Sequence, residues 1–348
     1  PGARPPQPQP QPPAKKEEPE AKPLTRAPEA WVQQSKADFA QAKLIDVTLG
    51  DEGRFALAPS RTELGSLPVD AIWSLAVRDG EVYAGTGSSG LIYKVSSSGQ
   101  ISRFFATEEL SVHALAFDKE GNLYAGTAPR GKLFQIAPDG TGKLIYDSES
   151  AYLWSLVIAP DGTIYAGGGA PARIYAIRPD GQAKVLAELP VANVLSLLRT
   201  PEGDLYAGTA ESGVVYRVRP DGSASAVGQV AGTSVEGLAM DESGNLYASS
   251  TPSGEIYRLP PGGPAGLYCD TGGERLIYGL AFLPGPGEAA RLVAATGPNG
   301  VMVEVGADRK ARVMFRPESG VATALATGGD AIYLGTTGPA TLRRFGPG

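Results

Sequence analysis

The residue types that could support chemistry are scarce in this chain. Its 348 residues include one histidine, His113, and one cysteine, Cys269. A single histidine cannot form a two-histidine zinc motif, and a single cysteine can form neither an intramolecular disulfide nor a thiolate metal cluster. Acid–base chemistry would therefore depend on His113 or on carboxylates. From these counts we expect no metal site, no cofactor and an inert, packed thiol at Cys269.

One segment has the spacing of a phosphate-binding loop. Residues 126–132 read GTAPRGK, in which Gly126 and Gly131 are separated as in a P-loop and Lys132 follows. A true P-loop leads into a helix whose N-terminus binds the phosphate, whereas a strand pattern follows here. Similar loops recur along the chain without the lysine. We therefore predict a structural loop, in which Gly126 permits close packing and Gly131 adopts a positive φ.

The elements that must position these residues are copies of one repeat. The pattern LYAGT, or a close variant, occurs seven times, and successive copies are 41, 41, 41, 41, 46 and 40 residues apart. The anchor residues of the copies are Tyr83, Tyr124, Tyr165, Tyr206, Tyr247, Val293 and Tyr333. Each copy reads as four short strands of alternating apolar residues joined by turns such as PDG and DESGN. This pattern is typical of antiparallel β-hairpins.

The repeat length predicts the fold. A four-stranded unit of about 40 residues is the blade of a β-propeller, so seven copies predict an all-β, seven-bladed β-propeller of four-stranded antiparallel blades. Seven blades in a ring bury each sheet face against a neighbour. The last copy lacks a fourth strand, and residues 60–68, SRTELGSLP, precede the first copy where a fourth strand would stand. We predict a three-plus-one closure, in which this N-terminal strand completes the last blade.

The sequence divides into three parts. Residues 1–30 contain ten prolines and no apolar periodicity, which predicts a disordered, proline-rich linker. Residues 31–59 form a lead-in segment, in which LIDVTLGDEGRFALAP predicts a short hairpin. Residues 60–348 form the propeller. The linker could instead be a ligand for a proline-binding domain, although its QPQPQ stretch offers no anchor besides proline.

The repeat units resemble a known group of propellers. Their pattern, LYAGT followed by IYR and PDG, is similar to that of NHL-type and SMP-30-like seven-bladed bacterial propellers over residues 60–348. The whole pattern, including the GRFALAP lead, also resembles exported bacterial propeller-repeat proteins. This resemblance implies the fold and an extracytoplasmic location, which could be the periplasm, the cell surface or the medium. It implies no particular activity.

The position that opens the first strand of each unit departs from the repeat. Two places further on every copy has leucine, and this uniformity predicts a core position. The opening position varies, and its occupants are Trp73, His113, Trp154, Leu195, Glu236, Tyr278 and Thr323. We place it near the mouth of the central channel, where propellers commonly bind ligands. The candidate ligand- or partner-binding residues are therefore Trp73, His113, Trp154, Glu236 and Tyr278. The alternative is that they only plug the channel.

Acidic residues recur in loops predicted at the same face. These residues are Glu108, Glu109, Asp147, Glu149, Glu188, Glu211, Glu274 and Glu318. Such a rim could attract a basic partner, or it could be ordinary solvation. The turns DKEGN and DESGN are acidic as well, but they lack the spacing and the terminal glutamate of a calcium loop. We predict that these two turns only join strands.

Composition excludes several classes of partner. The net charge is −6 with both signs mixed along the chain, and the basic stripe that nucleic acid requires is absent from the sequence. No stretch approaches the roughly 18 consecutive apolar residues of a transmembrane helix. The chain begins at Pro1, which leaves open a removed signal, or a lipid or signal-anchor tether upstream of residue 1.

These observations favour a binding module over an enzyme. We expect a non-catalytic, extracytoplasmic bacterial propeller that binds a protein partner, or acts as a scaffold, on a flexible proline-rich stalk. One alternative is a metal-dependent enzyme of the lyase or lactonase type seen in some similar propellers, with Glu236 and His113 as the candidates at the channel. The other is a glycan- or small-ligand-binding propeller that uses Trp73, Trp154 and Tyr278. The partner's identity and the oligomeric state stay open.

Overall fold

The computed structural model describes residue 2 and residues 47–49, 55–57, 60–283 and 291–346. Contacts divide the chain into two units, residues 1–43 with 50–54, and residues 44–49 with 55–348. Residues 3–46, and with them the predicted linker, lie outside the described part, so the description concerns the second unit. Every regular element described is a β-strand, and this part of the chain contains no helix that could cross a membrane.

Two short strands precede the propeller. Strands β1 (Val47–Leu49) and β2 (Phe55–Leu57) pair antiparallel, within the predicted lead-in segment. The next strand, β3 (Arg61–Ser66), belongs to the last blade of the propeller. The boundaries at residues 30 and 59 stay predictions.

Seven four-stranded antiparallel sheets follow the repeats of the sequence. Blade 1 consists of β4 (Ile72–Arg78), β5 (Glu81–Thr86), β6 (Leu91–Val95) and β7 (Ile101–Ala106). Blade 2 consists of β8 (Ser111–Phe117), β9 (Leu123–Ala128), β10 (Lys132–Ile136) and β11 (Gly142–Asp147). Blade 3 consists of β12 (Tyr152–Ile158), β13 (Ile164–Gly169), β14 (Arg173–Ile177) and β15 (Ala183–Glu188). Blade 4 consists of β16 (Val194–Arg199), β17 (Leu205–Thr209), β18 (Val214–Val218) and β19 (Ala224–Gln229).

The remaining blades repeat this order. Blade 5 consists of β20 (Leu238–Met240), β21 (Leu246–Ser250), β22 (Glu255–Leu259) and β23 (Gly266–Asp270). Blade 6 consists of β24 (Leu276–Leu283), β25 (Arg291–Gly297), β26 (Met302–Val305) and β27 (Ala311–Phe315). Blade 7 contains β28 (Val321–Gly328), β29 (Ala331–Thr337) and β30 (Thr341–Phe345), and its fourth strand is β3. The predicted seven-bladed propeller is therefore confirmed.

The ring closes by pairing the two ends of the propeller. Strand β3 lies antiparallel to β30, with Arg61 opposite Phe345 and Ser66 opposite Thr341. The pairing continues beyond both ends of the strand. Leu67 N–H donates to the Ala340 carbonyl, and a second bond joins Gly346 N–H to the carbonyl of residue 60, each over 2.9 Å. The predicted three-plus-one closure is confirmed, and it ties the start of the propeller to its end.

Apolar side chains that recur with the repeat hold adjacent blades together. Tyr83 and Ile92 of blade 1 pack with Leu123 and Phe134 of blade 2 in one buried cluster. Burial of one such side chain contributes on the order of 1.5–3 kcal/mol. Fully buried hydroxyl contacts add to these seams, since Ser74 Oγ donates to the Val112 carbonyl of the next blade over 3.0 Å. Each face of a blade is thereby covered by its neighbour.

The candidate phosphate loop is structural, as predicted. Gly131 has φ +48°, and a Cβ there would lie 1.9 Å from the Ser150 carbonyl oxygen. A Cβ on Gly126 would already be close to Leu153 of the next blade, at 3.1 Å. Both glycines therefore meet steric requirements of the ring. The two basic residues of the loop form ion pairs with the buried Glu109 carboxylate.

Replacing Leu64 by alanine is expected to weaken the closure. Leu64 is 5% exposed in β3 and packs with residues of blades 1 and 7, so the free energy of unfolding should fall by about 2–4 kcal/mol. Thr62→Ala, at an exposed position of the same strand, is the matched control and should stay within about 0.5 kcal/mol. Denaturant unfolding measures both variants. Equal losses of unfolding free energy in the two variants would contradict the role of Leu64 in packing β3 against blades 1 and 7.

Candidate functional site at the channel mouth

A β-bulge sets the direction of the variable residue in six of the described blades. In blade 1, Ile72 pairs with Thr86 and Ser74 with Gly85, so Trp73 between them is an extra residue without a partner. The same register shift leaves out His113, Trp154, Leu195, Tyr278 and Thr323. A bulge bends its strand and reorients a side chain. The six residues are therefore released from the sheet and directed to the channel by one repeated backbone device.

Blade 5 reaches the same result by a different local structure. Its innermost strand begins only at Leu238, and Glu236 lies just before it. The backbone N–H groups of Glu236 and Gly237 donate to Ser249 Oγ over 3.1 and 2.8 Å. The position of Ser249 is occupied by glycine in blades 1–4, where the repeat reads AGT or AGG rather than ASS. This departure in the blade 5 motif is the sequence signal for a residue that positions Glu236.

The variable residues surround one cavity of about 580 Å³ at the centre of the ring. Its lining consists of three consecutive residues from each blade, among them all five predicted site residues, Trp73, His113, Trp154, Glu236 and Tyr278. Trp73 lies against the loop between the second and third strands, since a Cβ on Gly87 would be 2.4 Å from Trp73 Nε1. The structure therefore brings the predicted residues together on the expected face. Whether they bind a ligand is a separate question.

The seven leucines two places further on were predicted to be core residues, and each of them packs in or against one buried hydrophobic cluster. All seven also line the cavity. Leu75 and Leu280 are buried, whereas the other five are partly exposed. They form an apolar channel wall below the variable residues and not only an interface between sheets. Uniform leucine satisfies either location, because both are apolar surroundings.

Aromatic rings from three consecutive blades form a continuous arc. The ring centroids of Trp73 and His113 are 5.7 Å apart, and those of His113 and Trp154 are 4.6 Å apart in an edge-to-face arrangement. Tyr152 extends the arc by stacking on Trp154 at 4.8 Å. A hydrogen bond fixes the Trp154 ring in this arc, because its Nε1 donates to Asn193 Oδ1 over 3.0 Å. Tyr152 and Asn193 were not predicted from the sequence. Tyr152 lies on the same strand as Trp154 but outside the variable position, and Asn193 meets Trp154 through a contact between residues 39 positions apart.

His113 contributes an uncharged ring to this arc. Its Nε2 lies 2.9 Å from Ser111 Oγ, with which it shares a hydrogen bond. Burial lowers the pKa of His113 from 6.5 to about 4. The imidazole is consequently neutral at physiological pH.

Glu236 is the one carboxyl group among the described residues that line the cavity, and this lining contains neither lysine nor arginine. Burial raises the pKa of Glu236 from 4.5 to about 7. Burial and the charge of Glu236 together raise the pKa of the Tyr278 hydroxyl in blade 6. Close to neutral pH the cavity therefore holds a carboxyl group poised between its neutral and ionised forms.

Half of the predicted acidic rim makes local contacts instead. Glu109 is buried and pairs with Arg130 and Lys132, at 2.8 and 3.0 Å. Glu274 is also buried, and its carboxylate accepts hydrogen bonds from the backbone and side chain of Asn299. The carboxylates of residues 149 and 188 both pair with Arg173. The exposed remainder consists of Glu108, Asp147, Glu211 and Glu318.

The other candidate groups have structural partners. The Asp118 carboxylate of the DKEGN turn accepts hydrogen bonds from Asn122 and from the Tyr124 hydroxyl, so this turn joins strands as predicted. Cys269 is buried, and burial raises the pKa of its thiol to about 11. The prediction of a packed thiol is confirmed, and the raised pKa agrees with the prediction that the thiol is inert. No three His, Cys, Asp or Glu side chains of the described ranges come together as a ligand set for a metal.

Comparison with known sequences and structures identifies the fold of the chain and assigns it no activity. No protein-family model and no curated protein matches the sequence. A catalytically inactive virginiamycin B lyase from Staphylococcus aureus with quinupristin is similar in structure, with TM-score 0.72, 15% identity, 82% of this chain covered and 99% of that chain. The WD40 β-propeller domain of Doa1 has TM-score 0.67 and 14% identity, over 82% of this chain and 97% of the other.

A third structural neighbour carries a peptide. YCF48 bound to D1 peptide has TM-score 0.65 and 12% identity, over 84% of this chain and 100% of the other. Identities this low show a shared β-propeller fold alone. The chain is thus a seven-bladed β-propeller, and its NHL-like or SMP-30-like subtype stays a prediction.

The pKa of Glu236 predicts a pH-dependent stability. Between pH 4.5 and about 7 the folded chain holds a proton on Glu236 that the unfolded chain has lost. The free energy of unfolding therefore falls as pH rises through this window, and the loss is complete above it. Glu236→Gln removes the titrating group, so this variant should be about 2–3 kcal/mol more stable than the parent at pH 8 and nearly equal to it at pH 4.5.

Denaturant unfolding at several pH values measures this difference. Glu108→Gln, at an exposed site, is the matched control and should follow the parent curve. His113 acts in the opposite direction, because its lowered pKa removes stability as pH falls from 6.5 to about 4. Because His113 is present in the parent and in Glu236→Gln, its contribution to stability cancels when the two proteins are compared. Parallel curves for Glu236→Gln and the parent would show that Glu236 is not buried as described.

Proposed function

We propose that the chain is a non-catalytic binding module that takes a segment of a partner protein at the mouth of its channel. One observation carries this proposal. Bulges in six blades, and the Ser249 contacts in blade 5, release the variable residue of each innermost strand into one cavity, while the residues around it follow the repeat. Packing between the blades does not require two tryptophans and a partly buried acid at this position.

The chemistry of the cavity supports protein recognition. Tryptophan and tyrosine are enriched among residues that dominate the free energy of protein binding, and they act in pockets that exclude water. Trp73, Trp154 and Tyr278 all line the cavity, and Trp73 is 37% exposed at its mouth. A volume of about 580 Å³ accommodates a side chain together with the turn that carries it. YCF48, which is similar in fold and was solved bound to the D1 peptide, is consistent with such a role.

The proposal includes a location and a tether. An exported bacterial protein would be held on residues 1–30, whose ten prolines suit a semi-rigid spacer. The propeller would then present its channel mouth to a partner at a distance from the attachment point. Deleting residues 1–30 should leave binding by the free propeller unchanged. Loss of binding would show that this segment itself contacts the partner.

The alternative is an enzyme, and one observation favours it. A pKa of about 7 at Glu236 is the value that a general base needs at neutral pH. His113, the other candidate, lies in blade 2 and contacts Trp73, Trp154 and Ser111. A glycan or small ligand stacked on the tryptophans is a further alternative. Both alternatives use the same cavity as the proposed binding module. The experiments must therefore distinguish a protein segment from a metal or a small ligand in that cavity.

The binding proposal is tested with a double variant, Trp73→Ala with Trp154→Ala. Both rings line the cavity, so capture of the partner by immobilised full-length chain should fall at least about tenfold. The matched control, Leu144→Ala with Val185→Ala, removes exposed apolar side chains from the outer strands of blades 2 and 3. It should bind as the parent does. Equal capture by the two double variants would contradict a site at the channel mouth.

Metal analysis separates the enzyme from the binding module. Purified chain is compared with Glu236→Gln and with His113→Gln. A stoichiometric metal that both variants lose would support the lyase or lactonase alternative and overturn a non-catalytic role. Partner capture that persists in the metal-stripped chain would support the binding module.

A further inference from the structure

The cavity is enclosed largely by apolar rings, and its described lining contains one acidic side chain and no basic one. Glu236 lies among them, and the described lining offers no lysine or arginine to pair with it. Its carboxyl oxygens have no hydrogen-bond partner among the contacts found in the described residues, although its backbone N–H is bound to Ser249 Oγ. An occupant that covered Glu236 with an apolar group would bury an unsatisfied carboxyl, which is unfavourable. An acidic occupant would add repulsion between like charges.

On this basis we propose that the occupant of the cavity is a basic side chain of the partner segment, a lysine or an arginine. It is held between the aromatic rings of Trp73, Trp154 and Tyr278 and is neutralised by Glu236. This inference rests on the proposed protein-binding function and specifies its ligand. Aromatic faces attract cations through the ring quadrupole, and the attraction is strengthened where water is excluded.

Exposed acidic residues near the mouth of the channel favour the approach of such a segment. Glu108, Glu211 and Glu318 are exposed in loops, and Asp147 is exposed at the end of β11, all at the same end as the variable residues. Arg275 and Arg316 are the exposed arginines described there that lack an ion pair with a neighbouring carboxylate. The excess of acids attracts a positively charged segment toward the mouth. This attraction acts on the rate of association and weakens with added salt.

Proton release accompanies binding in this arrangement. A cation beside Glu236 favours its ionised form, so the segment binds more tightly when the proton has already been lost. The titratable groups that face the cavity are Glu236, His113 and Tyr278. His113 is neutral in the range from pH 6 to pH 8, because burial lowers its pKa to about 4, and burial raises the pKa of the Tyr278 hydroxyl from its ordinary value, so that it stays protonated. Glu236 is therefore the group of the lining that titrates between pH 6 and pH 8.

Blocked pentapeptides of glycine and serine with one central test residue measure the occupant. The central residue is lysine, arginine, norleucine or glutamate, and binding to the full chain is followed by tryptophan fluorescence, since Trp73 and Trp154 line the cavity. We expect the lysine and arginine peptides to bind at least about tenfold more tightly than the norleucine peptide, with no binding of the glutamate peptide. Affinity for the lysine peptide should rise about fivefold to tenfold from pH 6 to pH 8.

Two variants in blade 5 test the role of Glu236. Glu236→Gln should reduce the lysine peptide to the affinity of the norleucine peptide and abolish the pH dependence. The control, Leu267→Ala, removes an exposed apolar side chain from the outermost strand of the same blade, away from the cavity, and should retain both. Thermal unfolding of each variant establishes that it is folded.

The outcomes separate this inference from the proposed function. If the parent binds the norleucine peptide as tightly as the lysine peptide, the basic occupant is overturned. If Trp73→Ala then loses this binding, a protein-binding cavity remains supported. A lysine preference that survives in Glu236→Gln also overturns the basic occupant. No fluorescence change with any peptide overturns the inference, and the proposed function is then decided by partner capture with the tryptophan double variant.

Discussion

The constraint on which this structure depends is that both faces of every four-stranded sheet are apolar and must be covered. Six blades meet it by packing each sheet on the next, as Tyr83 and Leu123 do between blades 1 and 2. Blade 7 packs on blade 1 in the same way, and β3, from the start of the propeller, pairs with β30 to tie the two ends together. Closure makes the covering continuous, so the whole ring becomes one cooperative packing unit rather than an array with open ends.

The channel is a consequence of this ring, and the bulges determine what it contains. A regular innermost strand would alternate its side chains between the two neighbouring blades. The extra residue in each strand interrupts that alternation and is directed to the axis, where no neighbouring sheet dictates its identity. Trp73 and Thr323 can therefore occupy equivalent positions. Blade 5 replaces the bulge with backbone donors bound to Ser249 Oγ, and it is the blade that places a carboxyl group in the cavity.

Desolvation then controls the electrostatics of the mouth. The same burial lowers the pKa of His113 to about 4 and raises that of Glu236 to about 7, because it opposes charge of either sign. Near neutral pH the imidazole is uncharged and the carboxyl is divided between its two forms. Aromatic rings, a poised acid and an apolar leucine wall meet at the mouth of the channel, and the proposed binding role rests on them. The electrostatic properties of the mouth follow from its enclosure.

The sequence alone determined the blade number, the strand order, the closing strand and the position of the variable ring. Alternating apolar residues and turn residues are local patterns, and a repeat of about 40 residues makes each deviation visible. Only the tertiary structure decided that Tyr152 and Asn193 complete the aromatic arc, that Glu109 and Glu274 are buried rather than part of a rim, and that the leucines line the channel. Asn193, Glu109 and Glu274 meet partners that lie 39, 21 and 25 positions away in the sequence, and no local pattern encodes such contacts. Tyr152 and the leucines depend on which side of the strand faces the channel, and this is decided when the ring closes.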